Sequence, residues 1–211
     1  MMYEIIPSGP YGTNCVILWE RPGEAWLVDP GGGAETLFNF MARRGVLPAG
    51  IVLTHGHCDH IGALDALLAA YPVPVYMDGA DAAWAFTPRN AIPGAYPAPP
   101  SRPATLAALR DEPAFGGLAA RVLRTPGHTP GSACLWFEGA GLLLSGDTLF
   151  AGSVGRVDLP GGDAAALMAS LRALAGLPGA TVVIPGHGPT TTIGEEVESN
   201  PFLDEALRHL Q

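Results

Sequence analysis

The stretch Thr54-His55-Gly56-His57-Cys58-Asp59-His60 follows directly on the apolar run Ile51-Val52-Leu53. A short buried strand thus feeds into three histidines and an aspartate within six residues. That much polar crowding at the end of a buried strand is costly unless a cation organises it. In extended backbone, side chains two positions apart point the same way, so His55 and His57 can bite one ion together. Asp59 and His60 follow as the chain turns into a helix. The turn redirects them and lets them serve a second ion nearby. Cys58 lies inside the segment, but the alternation that aligns His55 with His57 points it elsewhere, and it is not expected to be a ligand.

Two further histidines sit in Gly/Pro-bounded turns, Thr125-Pro126-Gly127-His128-Thr129-Pro130-Gly131 and Ile184-Pro185-Gly186-His187-Gly188-Pro189. The segment Ser145-Gly146-Asp147-Thr148 offers a carboxylate in similar surroundings. Histidine is the commonest metal ligand and carboxylate its hard companion. Alone, a histidine in a Pro-Gly turn is ordinarily structural, and an aspartate after glycine is ordinarily a turn residue or a cap. The first cluster changes that reading. His128 is placed to complete the first site, His187 the second, and Asp147, with two oxygens, to bridge the ions. Five imidazoles and two carboxylates suit two divalent metal ions, zinc foremost, with iron and manganese as alternatives. The sixth histidine, His209, lies in the C-terminal tail and is not expected to take part.

Working outward, the N-terminal part alternates strands (Tyr3–Pro7, Cys15–Trp19, Trp26–Asp29) with a helix over Glu35–Arg44 that stops at Gly45. Its apolar residues Leu37, Phe38, Phe40 and Met41 have helical spacing. A second amphipathic helix is predicted over Ile61–Tyr71 and a strand over Val73–Met77. Pro88–Pro103 is too rich in proline for helix or central strand and reads as a surface flap or rim rather than a domain boundary. Strand signals resume at Leu118–Arg124, and a hairpin is predicted from Ala133–Glu138 and Leu142–Leu144. A helix over Asp163–Leu174 starting at Asp163, a strand over Thr181–Ile184 and a final helix over Pro201–Leu210 complete the chain. The recurring event is an apolar strand that ends in a ligand-bearing turn, at Leu53, Arg124, Leu144 and Ile184. Such ends can converge on one edge of a packed sheet.

Composition bounds the function. The chain has 211 residues, 48% of them hydrophobic, enough for one substantial core, and one domain over 1–211 is expected. No apolar run approaches the roughly 20 residues that span a bilayer, and the start lacks a basic segment followed by a long apolar one, so a cytoplasmic location is expected. Cys15, Cys58 and Cys134 are odd in number and widely spaced, which fits reduced, buried thiols rather than a disulfide framework or zinc knuckle. Net charge is −9, and every one of the 11 basic residues is arginine. An acidic chain without a basic run argues against a nucleic-acid partner, and the absence of lysine removes Schiff-base chemistry. A small-molecule substrate remains, with no membrane partner; oligomeric state is not legible.

The His-x-His-x-Asp-His segment with distant His128, Asp147 and His187 resembles the metallo-β-lactamase superfamily, and the resemblance spans nearly the whole chain. It implies an α/β fold, an αββα sandwich of two packed mixed sheets with helices on the outer faces and a dinuclear site at one edge. It further implies that His55, His57 and His128 hold one metal, that Asp59, His60 and His187 hold the other, and that Asp147 bridges. Asn14-Cys15, Asp29-Pro30-Gly31-Gly32, Gly155 to Gly162 with Arg156 and Asp158, and Asn200-Pro201-Phe202-Leu203 resemble small glyoxalase II-like hydrolases. The expected reaction is attack of a metal-bound hydroxide on a thioester, with Asp59 and Asp147 as catalytic residues. A thiolate leaves readily because its conjugate acid has a pKa near ~8.5, whereas an amine calls for a general acid, and no spare histidine is evident. The larger glyoxalase II enzymes carry an added basic C-terminal domain. This chain ends ten residues after Pro201, which counts against glutathione as the thiol. The alternatives are a persulfide dioxygenase using one iron on His55, His128 and Asp147, and a lactonase or phosphodiesterase on the same fold. Pro88–Pro103 and Phe150–Gly162 are candidate cleft walls. Trp84, Phe86 and Tyr96 are candidate rim aromatics, with core packing the expected role of Trp84.

Overall fold

The structure, a computed structural model, describes residues 1–111, 114–115 and 117–208; His209 lies outside them. Along the chain run β1 (Met2–Ser8), β2 (Thr13–Trp19), β3 (Gly23–Val28), α1 (Ala34–Arg44), β4 (Val46–Val52), α2 (Cys58–Ile61), α3 (Leu64–Ala70), β5 (Val75–Met77), α4 (Gly79–Ala82) and β6 (Leu106–Ala108). The strands form one six-stranded sheet in the order β1-β2-β3-β4-β5-β6, antiparallel up to β3 and parallel from there. After a small ribbon of β7 (Ala114–Phe115) and β8 (Leu118–Ala119) come β9 (Arg121–Arg124), β10 (Ala133–Phe137), β11 (Leu142–Gly146) and a second ribbon of β12 (Leu149–Phe150) and β13 (Ser153–Val154). The chain then adds α5 (Ala164–Ala175), β14 (Val182–Pro185), β15 (Thr191–Thr192), α6 (Ile193–Ser199) and α7 (Pro201–Arg208). The second sheet has the order β15-β14-β11-β10-β9.

Period-two alternation sorts the strands into layers. In β2, Val16 and Leu18 face the second sheet, where they meet Leu135, Phe137, Leu142 and Leu144. Cys15, Ile17 and Trp19 on the other face pack on Leu37, Phe40 and Met41 of α1 and on Leu64 and Leu67 of α3. In β10, Cys134 and Trp136 turn outward to Leu167, Leu171 and Leu174 of α5 and Leu203 of α7. The layers are therefore helix, sheet, sheet, helix, as the αββα expectation requires. Among the described residues no helix is long and apolar enough to cross a membrane.

Element edges differ from the sequence reading where tertiary contacts intervene. The helix expected over Ile61–Tyr71 is broken at Gly62-Ala63 into α2 and α3. The Ala63 N–H donates to the Pro30 carbonyl at 2.9 Å, and Gly62 packs on the Tyr96 ring. β4 begins five residues earlier than Ile51, at Val46, despite Pro48 and Gly50. Gly50 is needed there because the Trp26 ring lies over its Cα. The expected strand Leu118–Arg124 is interrupted at Ala120. Asp163 caps α5 as expected, accepting from the Ala166 N–H at 3.0 Å, and α7 replaces the final predicted helix up to Arg208. Pro88–Pro103 holds only one 3-10 turn, Pro88–Asn90, and an Ile92–Tyr96 bridge.

Strand direction positions the site. β3 and β4 run parallel, as do β11 and β14, and β9 points the same way as β11 through two antiparallel steps. The turns that carry Asp29, His55, His128, Asp147 and His187 therefore all leave strand C-termini at one edge, where the sheets are stitched by Ala133 N–H to Thr54 O (2.9 Å) and Asn14 N–H to Gly186 O (2.7 Å). Leu135 is fully buried between the sheets. Leu135→Ala is expected to lower unfolding free energy by about 2–5 kcal/mol, read as a lower urea midpoint at unchanged slope.

Candidate metal centre

The residues picked from sequence converge into two adjoining groups. In the first, His55, His57 and His128 present ring nitrogens within 4.8 Å of one another, and in the second Asp59, His60 and His187 do the same with a carboxylate oxygen. Asp147 stands between them. Its Oδ1 is 3.3 Å from His60 Nε2, and its Oδ2 is 3.5 Å from His128 Nε2 and 3.7 Å from His187 Nε2. Within the second group side-chain exposure rises from 0% at His60 to 12% at Asp59 and 27% at His187, while His57 is the part-exposed member of the first. Cys58 is buried and belongs to neither group.

Hydrogen bonds behind the rings fix which nitrogen faces inward. Asp29 accepts from the Thr54 N–H (2.8 Å) and from Thr54 Oγ1 (2.6 Å). The hydroxyl proton being so used, Thr54 Oγ1 accepts from His55 Nδ1 at 3.1 Å, which leaves the His55 Nε2 lone pair inward. His60 Nδ1 donates to Asp29 Oδ2 (3.0 Å), His128 Nδ1 to the Arg156 carbonyl (2.7 Å) and His187 Nδ1 to the Tyr11 carbonyl (3.3 Å). Each of these rings therefore shows Nε2 to the centre, the arrangement in which an outer acceptor fixes tautomer and orientation. His57 alone faces inward through Nδ1, 2.8 Å from His128 Nε2.

The consequence is a surplus of lone pairs. His60 Nε2 and His187 Nε2 lie 3.2 Å apart although both rings carry their proton on the other nitrogen. His55 Nε2 and Asp147 Oδ1 are buried without a hydrogen-bond partner. Protons or cations must occupy such a cluster, and this donor set fits a dinuclear metal site. Electrostatics divides the groups. Burial, then the neighbouring His128 and His60, pushes His57 down to about 4, and burial likewise lowers His55. Burial also opposes charge on His60 and His187, but Asp147 and Asp29 raise the first and Asp59 raises the second. Against burial, the His187 hydrogen bond holds the Asp59 carboxyl low, and His60 holds Asp147 low. Burial thus disfavours the protonated form at His55 and His57, whereas neighbouring carboxylates favour it at His60 and His187.

Sequence reasoning missed several supports. Asp81 of α4, fully buried, accepts from the Gly56 N–H (2.8 Å), the Gly131 N–H (2.8 Å) and Thr129 Oγ1 (2.7 Å). Asn90 donates to the Gly56 carbonyl (2.7 Å) and accepts from the Cys58 N–H (3.1 Å). Nothing local in the sequence marks either residue. Asn14 and Asn200, quoted only for resemblance, also acquire roles. Asn14 donates to the Pro185 and Gly188 carbonyls at 2.9 Å, flanking His187. Asn200 and the buried Glu196 tie down the 150–154 loop through Ser153 O (3.1 Å) and Gly152 N–H (2.9 Å). Arg156 and Asp158 pair with each other on the surface, 61% and 65% exposed, and only the Arg156 carbonyl serves the site. Trp84 is half-buried with its ring 5.4 Å from that of His57, rather than in the core, and Phe150 stands 6.3 Å from the His187 ring. Tyr96 is buried, edge-on to the exposed Tyr11.

With this geometry in hand, comparison with known proteins is informative. A family model described as the Metallo-beta-lactamase superfamily matches residues 8–187. A probable metallo-hydrolase of Bacillus subtilis (strain 168) is 35% identical over 97% of this chain and 98% of its own length. The hydroxyacylglutathione hydrolase GloC of Haemophilus influenzae is 33% identical over 97% of this chain and 99% of its own length. Among solved structures, the BLEG-1 B3 metallo-beta-lactamase matches with a TM-score of 0.89 at 40% identity, covering 96% of this chain and 99% of that one. TTHA1623 in a di-iron-bound form gives 0.83 at 39% identity, over 94% and 99%. ETHE1 from Myxococcus xanthus gives 0.78 at 27% identity, over 100% and 89%.

Because the unbound cluster stores facing lone pairs and buried charge, metal is expected to stabilise the fold. Protein stripped with a chelator should melt at lower temperature and recover when zinc is restored, by about 2.7 kcal/mol at a hundredfold excess over Kd. A melting temperature indifferent to both treatments would contradict this reading.

Proposed function

The chain belongs to the metallo-β-lactamase superfamily, and from that premise we propose a dinuclear metal-dependent hydrolase that cleaves thioesters of a small thiol, with residues 1–211 acting as one catalytic unit. The observation that carries the proposal is the pair of inward-facing donor groups sharing Asp147. In this reading His55, His57 and His128 hold one ion, Asp59, His60 and His187 the other, and Asp147 both. Bound zinc, or iron or manganese in its place, supplies a strong nucleophile at neutral pH and positive charge opposite a developing oxyanion.

The chain's own residues do the rest. Asp59 faces the opening beside His187 (3.2 Å) and is placed to orient the attacking oxygen by hydrogen bonding. Trp84, Phe150 and Tyr11 give the mouth apolar walls that bind an acyl chain and exclude water. Cys58, the thiol within the motif, is buried and pushed up to about 11 by burial and by Asp59, which sets it against acting as a nucleophile. All five histidines of the cluster are committed to the two groups, which leaves no imidazole as general acid among the described residues. A thiolate leaves without one, so thioesters suit this site better than amides.

Length argued against glutathione as the thiol. The GloC relative answers that argument, because a hydroxyacylglutathione hydrolase is covered over 99% of its length by this chain. An S-acylglutathione is therefore the first substrate to test, with a β-lactam as control, given the B3 metallo-beta-lactamase neighbour. A second reading is a persulfide dioxygenase with one iron on His55, His128 and Asp147; the iron in the TTHA1623 neighbour keeps iron in play as the metal, although that form holds two. Against it, the Asp59–His60–His187 group would then have no work to do.

Asp147→Ala is expected to lower kcat/KM on an S-acylglutathione by about 10²–10³-fold or more while the circular dichroism spectrum stays that of the parent. Unchanged turnover would remove the hydrolase assignment. Oxygen uptake with a glutathione persulfide and no thioester cleavage would transfer it to the second reading.

A further inference from the structure

Asp81 has no part in the ligand set, yet each of its hydrogen bonds described above ends on a segment that carries a ligand of the first group. Gly56 separates His55 from His57; Thr129 follows His128, and Gly131 closes the same turn. The partners lie 25, 48 and 50 residues away, so one carboxylate joins a turn of the first sheet to a turn of the second. Asn90 holds the next peptide unit through the Gly56 carbonyl. The approach is close enough to require glycine. A Cβ on Gly131 would lie 2.7 Å from Asp81 Cγ, and one on Gly56 would lie 2.9 Å from Ala85 Cβ.

The second group is braced by other residues. Asp29 holds His60, the Tyr11 carbonyl meets His187, Asn14 grips the His187 turn, and Thr13 Oγ1 donates to the Asp59 carbonyl at 2.7 Å. Asp29 also reaches the first group through Thr54, so it couples the two. Asp81 is exclusive to the first. Metal ligands must be held within about 0.5 Å of their productive geometry. Two Gly/Pro turns from different sheets need a common anchor to meet that tolerance.

We propose that Asp81 is the positioning residue of the first ligand group, setting the separation of the turns that carry His55, His57 and His128 and so making the two metal sites separately tunable. The inference rests on the dinuclear reading above. Replacing the carboxylate by an amide keeps one acceptor oxygen but turns an NH2 toward a donor on the other side, so either the Gly56 or the Gly131 N–H loses its acceptor and the two turns move apart while the second group keeps its own supports.

The test is a cobalt(II) titration of metal-free protein, followed by visible absorption, on the parent, Asp81→Asn and the milder Thr129→Val. His128→Ala and His187→Ala serve as references for loss of the first and second group. The parent is expected to take two equivalents. Asp81→Asn is expected to keep one at parental affinity and to bind the other about 10–100-fold more weakly, with the spectrum of His128→Ala. Thr129→Val, which keeps the carboxylate, should shift the same equivalent by less and carries the test if Asp81→Asn does not fold. Two parental equivalents in both variants, equal weakening of both, or loss of the equivalent marked by His187→Ala would overturn the inference alone. A parent that binds no cobalt would overturn the metal-centre reading and this inference with it.

Discussion

Two imidazole nitrogens, His60 Nε2 and His187 Nε2, face one another at 3.2 Å with their ring protons committed to Asp29 and to the Tyr11 carbonyl on the far sides. Lone pairs so placed repel unless a positive charge lies between them. The same need recurs at the partnerless His55 Nε2 and Asp147 Oδ1. Much of the architecture follows from meeting it. Five histidines and two aspartates, from segments more than a hundred residues apart, have to reach one small volume. Strands whose C-termini share an edge deliver them there on short, stiff leads.

Glycine solves the crowding that results. The Gly186 Cα rests against Asp147 Oδ1, and Gly155 against the Asp147 main-chain carbonyl, so backbone itself packs around Asp147 where a side chain would not fit. Gly146, at φ 48°, turns the chain into Asp147 beside Thr54 and adopts a conformation that side chains resist. Asp29 adopts the same left-handed region at φ 51° without being glycine. Its three hydrogen bonds with Thr54 and His60 then compensate the strain of that backbone. The Pro-Gly-His turns are thus packing solutions as well as ligand carriers.

Legibility in the sequence followed the range of the interactions. The residues of the cluster could be read because period-two alternation pairs His55 with His57 and because each apolar strand ends in a marked turn. Layering was readable in β2 and β10, whose alternate residues feed different cores. What escaped was set by contacts between distant segments. Ile61–Tyr71 has an unbroken helical pattern, yet the Pro30 carbonyl captures the Ala63 N–H and Tyr96 fills the space over Gly62. Asp81 and Asn90 look like ordinary loop and helix residues, since their partners are 25 to 50 residues away. Trp84 carries the composition of a core residue, and only the fold lays it against His57.

The surroundings of His55 and His57 oppose a proton and those of His60 and His187 favour one, and that difference gives the centre an order. Burial sets His55 and His57 against carrying a proton, whereas His60 and His187 are drawn toward one by their neighbouring carboxylates, so a cation has less to displace at the first pair. His187 is the most exposed ring of the second group and stands next to Phe150. Binding and chemistry would then meet at Asp59, His187 and Asp147, with the first group as the deeper anchor. All of this depends on the cluster holding two ions. Elemental mass spectrometry on protein purified without chelator or added metal tests that directly. The account predicts about two equivalents of zinc, iron or manganese per chain. A single equivalent of iron, or no transition metal at all, would contradict it.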